Sequence, residues 1–392
     1  MSPSLAAPAT SDDESNEGAT PRRRAPSFSL ASLRVEAFRN LADATFEPSD
    51  RINVVFGQNG QGKTSLLEAI YVVATTKSFR TARLREVTTH QRGGFSVRAS
   101  FIERRGDLPS LERQHTAVYA EGSLHVRLDG NRPQTLADYA VRSPVVVFHP
   151  EELTLSTGPA ALRRRLLDRV ALYRSPTVAA ELSRYTRALR ARQELLRRGA
   201  TEAELTSYES ILASSGSIVS RARREAVESL VEPTLEAFRR IAAPDLELTL
   251  RYRNGGSEDS DAFARELEQR RSNDRNAVTA TFGPHRDELE LKLNGRAARQ
   301  VASQGQHRAI TLSLKAAETN AVTSITGLEP IQLLDDVSSE LDRERTEALL
   351  IFLAETRGQV FATTTRPELL TPSLGPENTK LFQVVNGELK SA

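Results

Sequence analysis

The sequence predicts an α/β fold, a phosphate-binding head split by an all-helical insertion, on three observations. Arg51–Phe56 (RINVVF) reads as a strand, passes into the glycine-rich stretch Gly57–Thr64, and continues as a helix. A second apolar strand, Ile331–Leu334, ends in the paired carboxylates Asp335 and Asp336. Between the two, from Pro159 to about Ala243, strand signals vanish and apolar residues recur at helical spacing.

The elements follow in order. Residues 1–30 are Ser, Pro, Ala and charge without periodicity, and read as a disordered tail. Folding signals start at Leu33, where Leu33–Phe38 alternates as a half-buried strand does. Lys63–Ala74 places Leu66, Leu67, Ile70, Tyr71 and Ala74 on one helical face. Short strands return from Phe95 to Leu128, and Val145–Phe148 is another, stopped by His149-Pro150. These make a first lobe, 31–150. The helical insertion, 151–243, is a short antiparallel arm that breaks near Arg198–Thr201. Its expected exposed faces carry Arg184, Arg187, Arg190, Arg192, Arg197 and Arg198, either as a solvated surface or as one that touches DNA. A second lobe, 244–392, follows. In it Leu246–Tyr252 and Glu288–Leu293 are strands, the latter meeting an Asn294-Gly295 hairpin turn. Ile310–Ala321 is helical, and Gln359–Ala362 is one more strand.

Composition narrows the function. The 392 residues contain no cysteine, which excludes disulfides, cysteine-ligated metals and thiol nucleophiles. No apolar run approaches the ~20 residues that span a bilayer, and residues 1–30 lack the apolar segment of a signal peptide, so the expected compartment is the cytoplasm with no membrane partner. Net charge is only +2, but just six of the 53 basic residues are lysine. Arginine suits bidentate phosphate contact, and a GC-rich genome would produce the same bias.

Gly57-Gln58-Asn59-Gly60-Gln61-Gly62-Lys63-Thr64 matches G-x-x-x-x-G-K-[ST] in the strand–loop–helix context that this phosphate-binding loop needs. Glycines let backbone N–H groups curl around phosphates, and the helix N-terminus adds a positive dipole end. Lys63 can reach the outer phosphates of ATP, and the Thr64 hydroxyl can ligate Mg²⁺. Asp335 would hold Mg²⁺ through water, and Asp336 would orient the attacking water as base, positioning and charge neutralisation carrying the rate. Ser303-Gln304-Gly305-Gln306-His307-Arg308 opens the Ile310 helix about 30 residues upstream of the aspartates, and Ser339–Asp342 follows them. In series these features place the chain among ATP-binding cassettes, where Ser303, Gly305 and Gln306 would cap the γ-phosphate held by a second subunit. Ser303 would then act only in trans.

Several further segments are specific. Phe38-Arg39-Asn40-Leu41, the loop with Leu66-Leu67-Glu68-Ala69-Ile70, Lys77-Ser78-Phe79-Arg80-Thr81, Phe148–Leu153, Arg163–Asp168, Gly283-Pro284-His285-Arg286-Asp287 and the 303–308 turn run in order along the chain. With the acidic block through Asp342, this set resembles the RecF family of SMC-like ATPases, from about residue 31 to 385. The resemblance implies a cassette ATPase head with a short arm, ATP-driven homodimerisation and slow hydrolysis. It counts Arg39 and Asn40 among the nucleotide contacts. It also implies binding of single-stranded, gapped or duplex DNA, work with RecO and RecR in loading recombinase, and a link to the SOS response. Two positions depart from the pattern: His307 stands where Gln is expected, and Thr363-Thr364-Thr365 where many cassettes carry a histidine. His285 and Arg286 read equally as nucleotide contacts or as packing between lobes.

Three competing readings make different demands. A chromosome-segregation head would need long heptads, which the insertion lacks. A transporter subunit would need a membrane-coupling surface, for which a basic arm is the wrong chemistry, and a phosphate-loop kinase would have no Ser303-type turn.

Overall fold

A computed structural model describes residues 26–106, 108–242, 245–336, 357–370 and 379–392. The chain opens with β1 (Ser27–Glu36), β2 (Ala44–Phe46) and β3 (Ile52–Phe56), then α1 (Lys63–Thr75). Next come β4 (Phe95–Arg104), β5 (Leu111–Ala120), β6 (Ser123–Leu128), the short α2 (Leu136–Ala140) and β7 (Val145–Phe148). The insertion is α3 (Ala160–Arg174), α4 (Val178–Arg197) and α5 (Glu202–Ile241). After it lie β8 (Leu248–Arg253), α6 (Ser260–Gln269), α7 (Arg271–Ala277), β9 (Glu288–Leu293), β10 (Arg296–Ala297), α8 (Ala298–Val301) and α9 (Gln304–Thr326). The last strands are β11 (Ile331–Leu334), β12 (Val360–Thr364), β13 (Thr379–Val385) and β14 (Glu388–Ser391).

The central sheet has the order β14-β13-β3-β12-β11-β7. Its five members from β13 to β7 are parallel, and β14 closes the edge antiparallel. Parallel strands covered on both faces are largely apolar: VVVF wholly so, while INVVF and IQLL each bury one amide side chain, Asn53 and Gln332. An antiparallel sheet, β2-β1-β4-β5-β6, lies across α1 from it. Helix α1 is buried on nearly all sides, with Leu66, Leu67, Ile70 and Val73 fully inaccessible, so the helix that starts at Lys63 is fixed by both sheets. A three-stranded sheet, β10-β9-β8, shares a separate core with α3, α5 and α9.

The chain folds earlier than its alternation suggests. Ser27–Leu30, assigned to the tail, is the first part of β1, with Phe28 and Leu30 buried. The register shifts between Leu30 and Ser32, so the inward residues run Phe28, Leu30, then Leu33 and Val35. A one-residue bulge breaks period-two alternation and hides the strand from a pattern search. The rest of the expected tail, through position 25, lies outside the described residues, as do Ser339–Asp342. The β13–β14 hairpin also escaped, although its Asn386-Gly387 turn is a hairpin signal.

The arm requires one correction. Helices α4 and α5 join through a capping box at Thr201 and Glu204, and Arg184, Arg187, Arg190, Arg197 and Arg198 are exposed on them. Arg192 is not: its side chain is 0% exposed. It reaches Glu209 of α5 at 2.9 Å and Asp274 of α7 at 2.6 Å, while Arg271 covers the other Glu209 oxygen at 2.6 Å. A charge pattern on one helix cannot reveal that two acids far along the chain converge on one arginine. Removing one partner of such a cluster strands the others without water, at about 3–5 kcal/mol. We therefore expect Arg192→Ala to lower the unfolding free energy by that amount, read as a lower denaturant midpoint at unchanged slope. Arg187→Ala, on the exposed face, is expected to stay within about 0.5 kcal/mol of the parent.

Candidate functional site

Loop Gly57–Thr64 sits at the carboxyl end of β3, where parallel α/β sheets place their ligands. Its glycines are required by geometry. A side chain at Gly57 would put its Cβ 2.4 Å from the Val384 carbonyl oxygen, and Gly60 and Gly62 hold φ of +79° and +120°. Lys63 Nζ donates to the Gly57 and Gln58 carbonyls at 2.7 and 2.9 Å, bent over its own loop. Burial lowers the Lys63 pKa, and the nearby Asp336 and Asp335 oppose that shift.

The acidic strand stands two places away, with β12 between. Asp335 Oδ1 accepts hydrogen bonds from Thr64 Oγ1 at 2.8 Å and from Thr363 Oγ1 at 2.9 Å. Its pKa is raised, first by burial, with both hydroxyl donors opposing the shift. Asp336 turns out of the strand at φ +54°, its N–H donating to Thr363 Oγ1 at 2.7 Å. Thr363 thus fixes both carboxylate residues. Thr64 and Asp335 make a hydroxyl–carboxylate pair of hard oxygens that suits Mg²⁺, an ion that takes few protein ligands and completes its shell with water and phosphate.

Lys63, Thr64, Asp336 and Thr363 line a cleft of about 380 Å³ together with Arg39, Asn40, Asn59, Gly60, Gly62, Ser65 and Arg80. Asn40 braces the loop, donating to the Gly60 carbonyl at 2.7 Å and accepting from Ser65 Oγ at 2.7 Å. Arg39 is held by the buried Glu68 carboxylate through bonds of 2.9 and 2.8 Å. Glu68, on α1, also accepts from Ser78 Oγ at 2.6 Å and from Arg80 at 3.2 Å. One carboxylate on the helix behind the loop therefore sets two cations at the cleft. The site reading from sequence included Arg39 but missed Arg80; the quoted Lys77–Thr81 element was the available signal.

Ser303, Gly305 and Gln306 do not line this cleft. Ser303 is the exposed N-cap of α9, bonded reciprocally with Gln306 in a capping box, so the Gln306 side chain serves the cap. His307 Nδ1 meets Ser156 Oγ at 3.0 Å, and burial lowers its pKa. Helix α9 is clamped from behind. Lys315 pairs with Glu152 at 2.7 Å and with Glu318, while Arg169 of α3 reaches Glu152 at 2.8 Å and Glu318 at 2.6 Å.

The Gly283–Asp287 element packs rather than lining the cleft. Asp287, fully buried, accepts from Arg223 at 2.9 Å, Tyr252 at 2.8 Å and the Gly255 N–H at 2.8 Å. His285 meets Tyr185 of α4 at 2.6 Å through Nδ1 and the Ala280 carbonyl at 3.0 Å through Nε2. Its pKa is lowered by burial, which fits a neutral ring donating from Nε2 and accepting from the tyrosine. Arg286 is exposed.

The comparisons agree with this architecture. A family model described as the RecF/RecN/SMC N terminal domain matches residues 29–390. The DNA replication and repair protein RecF of Anaeromyxobacter sp. (strain Fw109-5) is 41% identical over 367 residues, covering 91% of this chain and 98% of its own length. That of Myxococcus xanthus (strain DK1622) is 36% identical over 353 residues, covering 87% and 92%. A solved structure of the recombination mediator protein RecF in its ATP form, from the RecFOR pathway, superposes with a TM-score of 0.80 at 26% identity, covering 93% of this chain and 98% of that one. An Smc head domain from Pyrococcus furiosus shares the fold, with a TM-score of 0.52 at 15% identity over 93% of this chain and 96% of its own. An α/β cassette-type head, a family model spanning nearly the whole chain and relatives well above 30% identity lead to one conclusion: this chain belongs to the RecF family of DNA replication and repair proteins, within the RecF/RecN/SMC group.

Proposed function

We propose that the chain is an ATP-dependent DNA-binding switch of recombinational repair and replication-fork maintenance, in which two copies close on ATP and reopen after slow hydrolysis. The observation that carries this reading is the separation, on one chain, of a cleft equipped for phosphates from an exposed helix N-terminus at Ser303 that does not line it. A helix N-terminus is a ready anion site, so Ser303 with Gly305 and Gln306 completes the cleft of a second copy. Portions 31–150 and 244–392 form one head in this reading, and 151–243 is its arm.

The backbone N–H groups of Gly57–Thr64 cradle the phosphates, and Lys63 exchanges its two carbonyl partners for phosphate oxygens. Asn59, Gln61 and Asn40 shape the loop, while Arg39 and Arg80 add positive charge at the outer phosphates. Thr64, and Asp335 through water, would hold Mg²⁺, which would neutralise the charge that builds on the phosphate oxygens. Asp336 accepts the proton of the attacking water. Because Ser303 arrives only with a partner, turnover depends on dimer formation and is slow. A relative of this chain is named for DNA replication and repair, and a similar solved structure for the RecFOR pathway, which supports DNA as the partner; the reading takes that DNA as gapped, single-stranded or duplex. The reading extends to cooperation with RecO and RecR in loading recombinase, and to a contribution to the SOS response.

Lys63→Ala removes the phosphate cation. Titration with a fluorescent ATP analogue is expected to show binding at least ~100-fold weaker, the equivalent of about 3 kcal/mol of charge-assisted hydrogen bonding. Asp336→Asn keeps the cleft but loses the base. Phosphate release is expected to drop by roughly 10²–10⁴-fold, and light scattering in Mg-ATP is expected to give the mass of a dimer; an Asn variant that stays monomeric contradicts the assigned role.

A further inference from the structure

We propose that a second cleft, between the phosphate-loop lobe and the arm, binds a short stretch of single-stranded DNA; the inference rests on the DNA-binding reading above and assigns that partner a place. The cleft has a volume of about 560 Å³ and is separate from the nucleotide cleft. One wall is Lys77, Ser78 and Phe79, from the segment after α1, with His149 after β7; the facing wall is α3 and α4.

Its charge is one-sided. The two acids that line it are already neutralised: Glu152 by Arg169 and Lys315, and Asp168 by Arg223 at 2.7 Å. Of the cations, Arg165 pairs with Glu151 in solvent at 3.1 Å. Lys77, Arg187 and Arg190 are exposed and enter no ion pair among the described residues. Arg187 and Arg190 lie three residues apart on α4, a spacing at which like charges repel. A row of cations with no internal acid to balance it is suited to an external polyanion.

The remaining features choose the class of polyanion. Phe79 and His149 are stacked in the cleft wall, with ring centroids 5.3 Å apart and planes 25° apart. A positive groove beside aromatic rings is how proteins hold unpaired strands, the backbone on the cations and a base on the rings. The volume is that of a small-ligand pocket, enough for one or two nucleotides of one strand and too small for a duplex. The segment that forms this wall also reaches the nucleotide cleft: Ser78 and Arg80 share the Glu68 carboxylate, and Arg80 lines that cleft. Strand binding and nucleotide binding thus bear on one loop, and any coupling between them is reciprocal.

The test is fluorescence anisotropy of the full chain with a labelled oligo-dT and with a blunt duplex, across a salt series. The Arg187→Glu/Arg190→Glu variant is expected to bind oligo-dT at least tenfold more weakly, with a salt slope shallower by roughly 1.4, the value for two lost single-strand phosphate contacts. Its duplex affinity, ATP-analogue affinity and melting temperature are expected to match the parent, the affinities within twofold. Arg132→Glu/Arg142→Glu, in another cleft, is expected to leave oligo-dT binding within twofold. An unchanged oligo-dT affinity in the first variant, an equal loss on duplex, or an equal loss in the second variant overturns the proposal and leaves the DNA-binding reading standing. A parent chain that binds neither DNA overturns both.

Discussion

The hydrogen bond from Thr64 Oγ1 to Asp335 Oδ1, 2.8 Å long and spanning 271 residues of chain, is the contact on which the rest of the site depends. It exists because β12 enters the sheet between β3 and β11, and because the sheet is parallel there, so that both strands deliver their ends to the same edge. Thr363 on the intervening strand then reaches both aspartates, through Oγ1 to Asp335 and by accepting the Asp336 N–H. Burial works against ionised Asp335 and raises its pKa on balance, although the two hydroxyl donors oppose that shift.

The same economy governs the helical insertion. An arm inserted into a head must be anchored if its position is to matter, and Asp287 provides the anchor by gathering Arg223 of α5, Tyr252 of β8 and the Gly255 amide. Arg223 extends the contact to Asp168 of α3. Gly283 allows the close approach, since a Cβ there would lie 2.2 Å from the Tyr185 hydroxyl. The Ser303 helix is fixed just as firmly, by the cluster of Lys315, Glu318, Glu152 and Arg169. Breaking one member of such a cluster costs about 3–5 kcal/mol, so α9 moves with α3 and with the segment after β7. Ser303 is consequently a rigid presenter of its helix end rather than a loose loop.

Much of this was legible in the sequence, and the reasons are local. A phosphate loop is contiguous, so Gly57–Thr64 declares itself, and an apolar strand ending in two aspartates does nearly as well. The helical texture of the insertion and its break near Gly199 are periodicity signals. What stayed hidden depends on residues far apart. Arg192 looks like its exposed neighbours until Glu209 and Asp274 meet it. Arg39 lines the cleft with its guanidinium held by Glu68, a pairing across 29 residues that no local pattern shows. The bulge near Ala31 concealed the start of β1, and the stacking of Phe79 on His149 joins residues 70 positions apart that composition alone made seem unremarkable.

The central claim is that one chain's Ser303 completes another chain's cleft, and the absence of cysteine makes it directly measurable. One preparation would carry Ser303→Cys alone and another Asn59→Cys alone, mixed and treated with a short bis-maleimide. The account predicts a cross-linked dimer that forms in Mg-ATP, is absent without nucleotide, and disappears when Lys63→Ala is added to the Asn59→Cys chain. A cross-link that ignores nucleotide, or no cross-link under conditions in which ATP is bound, would contradict it.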